Sequence, residues 1–68
     1  MSVKSKSIEA IKEIRKREEY HYEKAKFCRE HNMTLETLLH VEMENELRRL
    51  ANKLENILDT GYVTINED

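Results

Sequence analysis

The stretch REHNMTLET, residues 29–37, decides the fold of this 68-residue chain. His31 and Asn32 are poor helix formers, and asparagine tolerates the left-handed backbone conformation in which many helices end. Thr34 has the side chain that N-cap positions favour. The stretch therefore predicts that one helix ends near Glu30 and that a second helix starts directly after Thr34.

The segment before this break is predicted to form one long helix, from about residue 8 to residue 30. The chain contains no proline, and its single glycine lies far downstream. Three isoleucines spaced three residues apart begin an apolar stripe with helical periodicity. Ser7 suits the N-cap position. We expect residues 1–6 to form a flexible N-terminus.

The second helix is predicted over about residues 35–60, because its apolar residues recur in steps of three and four. Gly61 fits the left-handed residue that follows a helix end. The remaining segment, residues 62–68, begins with β-branched and aromatic residues and is predicted to be an extended tail. It would pair with the same tail of another chain or pack across the helix ends.

A short connection between two long helices makes them antiparallel neighbours. With the turn centred near Asn32, residues whose numbers sum to about 65 should face each other. A chain of this length buries only about 60% of the surface that it exposes when unfolded. A single hairpin also leaves part of the apolar face of the second helix exposed to solvent. We therefore predict an all-α hairpin that pairs into a dimeric four-helix bundle. The predicted self-association residues are Ile11, Ile14, Leu47, Leu50, Leu54 and Leu58.

The segment REEYHYEK, residues 17–24, interrupts the apolar stripe of the first helix at Glu18 and His21. Three interpretations are open. The helix tilts so that Tyr20 or Tyr22 covers the seam and both polar residues are solvated. Alternatively, they form a buried polar layer that fixes register. In the third, this Glu-x-x-His pair binds a metal ion, as in carboxylate-bridged bundles. We predict no metal and no cofactor, with Glu18 and His21 as the candidates should one bind.

Cys28, His31 and His40 form a second candidate metal set, but structural zinc sites need four ligands, usually rich in cysteine. Cys28 on an apolar stripe is more often an inert core thiol. A single cysteine allows no intrachain disulfide and suits a reducing cytoplasm. We expect His31, at a helix end, to interact with the last carbonyl groups.

Charge is distributed unevenly along the chain, although the net charge is only −2. Residues 1–30 hold nine Lys or Arg and six Glu, a balance of +3, whereas residues 31–68 hold three Lys or Arg and eight Asp or Glu, a balance of −5. A basic ridge on the first helix could contact phosphates, but interleaved glutamates weaken its potential. Its candidate residues are Lys12, Arg15, Lys16 and Arg17.

Catalysis is not indicated, because the sequence shows no nucleophile–base arrangement and no glycine-rich phosphate loop. No apolar run approaches the ~20 residues that span a membrane, and we expect no secretory signal. The sequence thus favours a small cytoplasmic, non-enzymatic interaction or regulatory protein that self-associates and binds another protein. The alternatives are a metal-binding bundle and a nucleic-acid-binding dimer.

Overall fold

Two helices make up almost all of the computed structural model, which describes residues 3–65. Helix α1 covers Val3–Glu30 and helix α2 covers Thr34–Leu58. The helices pack against each other as a hairpin, and the contact of Ile11 with Ala51 in one core cluster fits an antiparallel arrangement. The all-α hairpin predicted from the sequence is confirmed. No strand occurs within residues 3–65.

Helix α1 begins at Val3, five residues before its predicted start at Ile8. Ser7 accordingly lies inside the helix and does not cap it. The reason is local, because no residue among the first ten is proline or glycine and nothing there interrupts the helical hydrogen bonds. The predicted flexible N-terminus is therefore helical over residues 3–6, and its first two residues lie outside the described part of the chain.

The turn between the helices uses Asn32 as its left-handed residue, with φ of 59°. The Met33 N–H donates to the carbonyl of Cys28 at 2.8 Å and closes the end of α1. Met33 is also the N-cap of α2, and no side chain caps this end. The predicted capping by Thr34 is therefore wrong, since Thr34 is already helical. Instead, the Thr37 hydroxyl donates to the carbonyl of Met33.

The end of α2 is set by Asp59, which takes the left-handed conformation with φ of 56°. The helix therefore ends at Leu58, two residues before the predicted end. Gly61, the predicted left-handed residue, does have a positive φ of 72°, but it lies beyond the helix end. The two left-handed residues together turn the chain back towards the helix pair.

The core lies near the open end of the hairpin. Its buried members are Ile11, Ala51 and Val63, and Ile8, Ile14, Leu54 and Leu58 pack around them. Val63 belongs to the segment after α2 and packs in the core against residues of both helices of its own chain. The last three residues of the predicted tail, 66–68, lie outside the described residues.

Candidate functional site: a polar seam and an open apolar face

The centre of the helix seam is built around Arg15, a buried residue that is only 5% exposed. Its guanidinium donates from Nη2 to Glu55 Oε2 at 2.8 Å and to Asn52 Oδ1 at 2.9 Å, and from Nη1 to Glu18 Oε1 at 3.1 Å. Burial alone lowers the pKa of Arg15, but the hydrogen bonds to Glu55 and Glu18 outweigh it and the pKa is raised. Arg15 therefore stays charged and ties α1 to α2.

The same carboxylate holds the C-terminal segment in place. Glu55 Oε2 accepts a hydrogen bond from the Val63 N–H at 2.8 Å in addition to the one from Arg15. The Arg15 guanidinium lies over the ring of Tyr62, and its Cζ atom is 4.3 Å from the ring centroid. One buried ion pair thus fixes three pieces of the chain: both helices and the segment that follows them.

Glu18 extends this network along the seam to a second arginine. Its Oε2 accepts a hydrogen bond from Arg48 Nε at 2.8 Å, and Arg48 also pairs with Glu44. The hydrogen bond to Glu18 is the main reason that the pKa of Arg48 is raised. With its carboxylate held by two arginines, Glu18 is half-buried and structural.

His21 lies one turn further along the seam, is 8% exposed, and faces His40 of α2. The two Nδ1 atoms are 2.8 Å apart, so the Nδ1–H of one ring donates a hydrogen bond to the Nδ1 lone pair of the other. Burial, the nearby His40 and the charge of Arg17 together lower the pKa of His21. The interpretation in which Glu18 and His21 are both solvated is therefore wrong. Tyr20 and Tyr22, which it placed over the seam, are themselves about half exposed.

The candidate metal ligands do not form a recognisable ligand set. Within residues 3–65, no three His, Cys, Asp or Glu side chains are grouped so that they could hold a metal ion. Cys28 is a buried free thiol, and His31 is exposed with its Nδ1 2.9 Å from the Phe27 carbonyl oxygen. That contact is the one predicted for a histidine at a helix end. The carboxylate of Glu18 is bound by two arginines, whereas the ring of His21 faces His40. The two candidate ligands therefore have different partners.

The candidate basic ridge on α1 is divided by the fold. Arg15 points into the seam, whereas Lys16 and Arg17 are exposed and Lys12 is half-buried. Lys16 pairs with Glu13 on the same helix. The four residues proposed from sequence for phosphate contact therefore do not share one surface.

The residues predicted for self-association fall into two groups. Ile11 is fully buried in the core between the two helices of one chain, and Ile14, Leu54 and Leu58 pack against it. Leu47 is half-buried. Leu50 alone is an exposed member of the set, with 45% of its surface accessible. Contact of this set with a second chain remains a prediction.

An open apolar stripe runs along α2 beside the seam. Its residues are spaced four or seven apart, which places them on one helical face, and each is about half exposed or more. We call this set the α2 stripe: Leu39, Met43, Leu50 and Ile57. Only Ala51 and Glu55 of this helix are buried, so the hairpin uses a narrow part of its apolar surface.

A shallow depression connects the α2 stripe to the polar seam. Its lining includes the apolar side chains of Met43 and Leu47 on α2 and the ring of His21 on α1. Its margin is charged, with Arg17 on α1 and Glu42 and Glu46 on α2. The stripe is thus bordered by side chains of both signs.

Comparison with protein-family models, with curated proteins and with solved structures found no significant match. No helix within residues 3–65 is long and apolar enough to cross a lipid bilayer.

Proposed function

We propose that this protein is a non-enzymatic interaction module that self-associates through the α2 stripe into a dimeric four-helix bundle and binds another protein on its remaining helical surface. The observation that carries the proposal is the stripe itself. Large exposed apolar patches on a small protein mark interaction sites. The free thiol of Cys28 is compatible with the cytoplasm, where we propose that the protein acts.

The small core of the hairpin supports a second copy as the occupant of this face. Among the described residues, Ile11 is the only large aliphatic side chain that is completely buried. In contrast, the four stripe residues remain in contact with solvent. Pairing two stripes would bury about eight large side chains that are already about half buried, so each would contribute about half of the ~1.5–3 kcal/mol that full burial provides.

Charge at the margin of the stripe also favours a second copy. A two-fold interface places the same patch on both sides. Arg17 lies on one border, and Glu42 and Glu46 lie on the other. A two-fold axis that runs along the stripe, parallel to α2, would bring the basic border of each copy towards the acidic border of the other, which favours this pairing over a partner of one sign.

The outer side of α1 is left for a further protein. Tyr20 and Phe27 are seven residues apart, share a helical face and are each about half exposed. Lys24 lies over the Tyr20 ring, and His31 stacks on the Phe27 ring. Aromatic side chains of this kind are enriched at protein interfaces, so we assign this side of α1 to the second protein.

The test is the oligomeric state of a Leu50→Asp variant, measured by sedimentation equilibrium. In a two-fold dimer the substitution buries two carboxylates in an apolar interface, so we expect the dissociation constant to rise at least ~100-fold. The helical content should not change, because Leu50 is exposed within the hairpin. Phe27→Asp is the matched control, since Phe27 has similar exposure on the outer side of α1. A wild-type monomer, or equal effects of both substitutions, would contradict the proposed interface.

A further inference from the structure

The contact between His21 and His40 has the geometry of a shared proton. The ring centroids are 5.0 Å apart while the two Nδ1 atoms are 2.8 Å apart. A ring centre lies about 1.2 Å from its nitrogen atoms, so these distances mean that the two nitrogens point almost directly at each other. Such head-on geometry suits one N–H donor and one lone-pair acceptor.

This geometry accepts one added proton but not two. When one ring is charged, its Nδ1–H still donates to the neutral partner, in a stronger charge-assisted hydrogen bond. When both rings are charged, two N–H groups and two positive charges meet at 2.8 Å, and the pair has to separate. In the unfolded chain the two imidazoles titrate independently near pH 6.5.

The pair also lies at the edge of the face that we assign to self-association. His21 forms part of the depression together with Met43 and Leu47, beside the α2 stripe. A dimer would cover this depression and bury the ring further. Separation of the pair would push a charged imidazole towards that interface.

We infer that His21 and His40 form a pH-sensitive latch, which weakens the hairpin and its self-association as the pH falls below about 6.5. The inference rests on the proposed function, because it concerns the regulation of the same face. The lowered pKa of His21, caused by burial, His40 and Arg17, agrees with it.

The charged side chains near the pair on both helices do not account for this pH dependence. On α1, Arg17 adds positive charge near His21, and the carboxylate of Glu18 is held by two arginines. On α2, Glu44 is paired with Arg48, while Glu36 lies one turn before His40. Carboxylates titrate near pH 4, so between pH 7.5 and 5.5 the imidazoles are the main side chains that change charge.

The sign follows from proton binding. Below pH 6.5 the unfolded chain binds two protons at these residues, whereas the folded pair binds one at most. Stability therefore falls as the pH falls, since the unfolded state binds more protons. A difference of one bound proton changes the equilibrium constant for unfolding ten-fold per pH unit. Between pH 6.5 and 5.5 the pair should therefore raise this constant by up to ~10-fold.

The experiment is sedimentation equilibrium at pH 7.5 and 5.5, with a chelator present so that a metal ion cannot bridge the rings. The wild-type dissociation constant should rise at pH 5.5, because separation of the pair places a charged imidazole at the interface. The equilibrium constant for unfolding, measured by chemical denaturation at both pH values, should rise by up to ~10-fold. His31→Gln, which removes an exposed histidine, should keep this dependence. His21→Gln should lose most of it, because two charged rings can then no longer meet at this contact. If His21→Gln fails to fold, His40→Gln is the second variant, because His40 is half-buried and its site should tolerate the change. The dissociation constant of this variant should depend less on pH than that of the wild type.

Side-chain NMR titration of the histidines gives the second readout. One ring should carry its proton on Nδ1 and the other on Nε2 at pH 7.5, and a second titration step should lie below pH 6.5. Two independent titrations near pH 6.5 would overturn the inference. A dimer with equal affinity at both pH values would overturn the inference and leave the proposed function standing, whereas a monomer at pH 7.5 would overturn both.

Discussion

Arg15 and Glu55 show how much one ion pair organises in a small hairpin. The carboxylate of Glu55 accepts hydrogen bonds from Arg15 and from the Val63 N–H, so it serves α1, α2 and the following segment together. Sequence periodicity did mark the polar interruption of α1 at Glu18 and His21. It did not indicate their partners, because a helical repeat shows which side of a helix a residue occupies and not which side chain it contacts.

Substitution of Glu55 by Gln should destabilise the protein by about 3 kcal/mol, because Arg15 would keep a buried charge without its main partner. Chemical denaturation followed by circular dichroism at fixed protein concentration measures this loss. Glu13→Gln is the control, since Glu13 pairs with Lys16 in solvent, away from the proposed interface, and should contribute less than about 1 kcal/mol. Equal losses for the two variants would contradict the structural role of Glu55.

His40 was noted from sequence as part of a candidate zinc set and not as the partner of His21. The signal was present in the facing rule for an antiparallel hairpin, since 21 and 40 sum to 61, close to the expected 65. A shift of four in that sum corresponds to one helical turn, which periodicity alone does not resolve. Only the packed structure selects among side chains one turn apart.

At the scale of elements, the two helices follow from local sequence more directly than their ends do. Uninterrupted helix formers account for α1, and its extension to Val3 has the same cause. The end of α2 differs from prediction because Asp59 takes the left-handed position two residues before Gly61. Asp also tolerates the left-handed conformation, and the Thr60 N–H donates to the Glu55 carbonyl at 3.2 Å, which closes the helix end there.

The turn provides a prediction at the same scale. Asn32→Ala should destabilise the hairpin by about 1 kcal/mol, because a residue with a Cβ atom and no polar side chain is strained at the positive φ found there. Asn32→Gly is the matched variant and should be nearly neutral. Thermal denaturation of both at one concentration tests this; an alanine variant as stable as the glycine variant would show that the turn does not need a left-handed residue.

At the scale of the whole molecule, the segment after α2 closes one side of the hairpin, and the α2 stripe leaves another side open. Val63 completes the core with Ile11 and Ala51, whereas the residues of the stripe are each about half exposed or more. In the proposed dimer, this asymmetry is the reason that the second copy is placed on the stripe.

Val63→Ala should destabilise the protein by about 2 kcal/mol, because it removes two methyl groups from the core. Val3→Ala, the same substitution at an exposed position in α1, should change stability by less than about 0.5 kcal/mol. Denaturant unfolding of the two variants compares them directly. A negligible effect at Val63 would mean that the segment after α2 does not pack on the helices in solution.

The sequence by itself determined that this chain forms two long helices, that a turn at Asn32 makes them a hairpin, and that polar residues interrupt the seam at Glu18 and His21. These features depend on periodicity and on local backbone preference, which act over a few residues. The tertiary structure alone decided that Arg15 is buried against Glu55, that His21 meets His40, and that Val63 enters the core. Those contacts join residues far apart in sequence, and their partners depend on helix rotation and axial shift, which no local preference fixes.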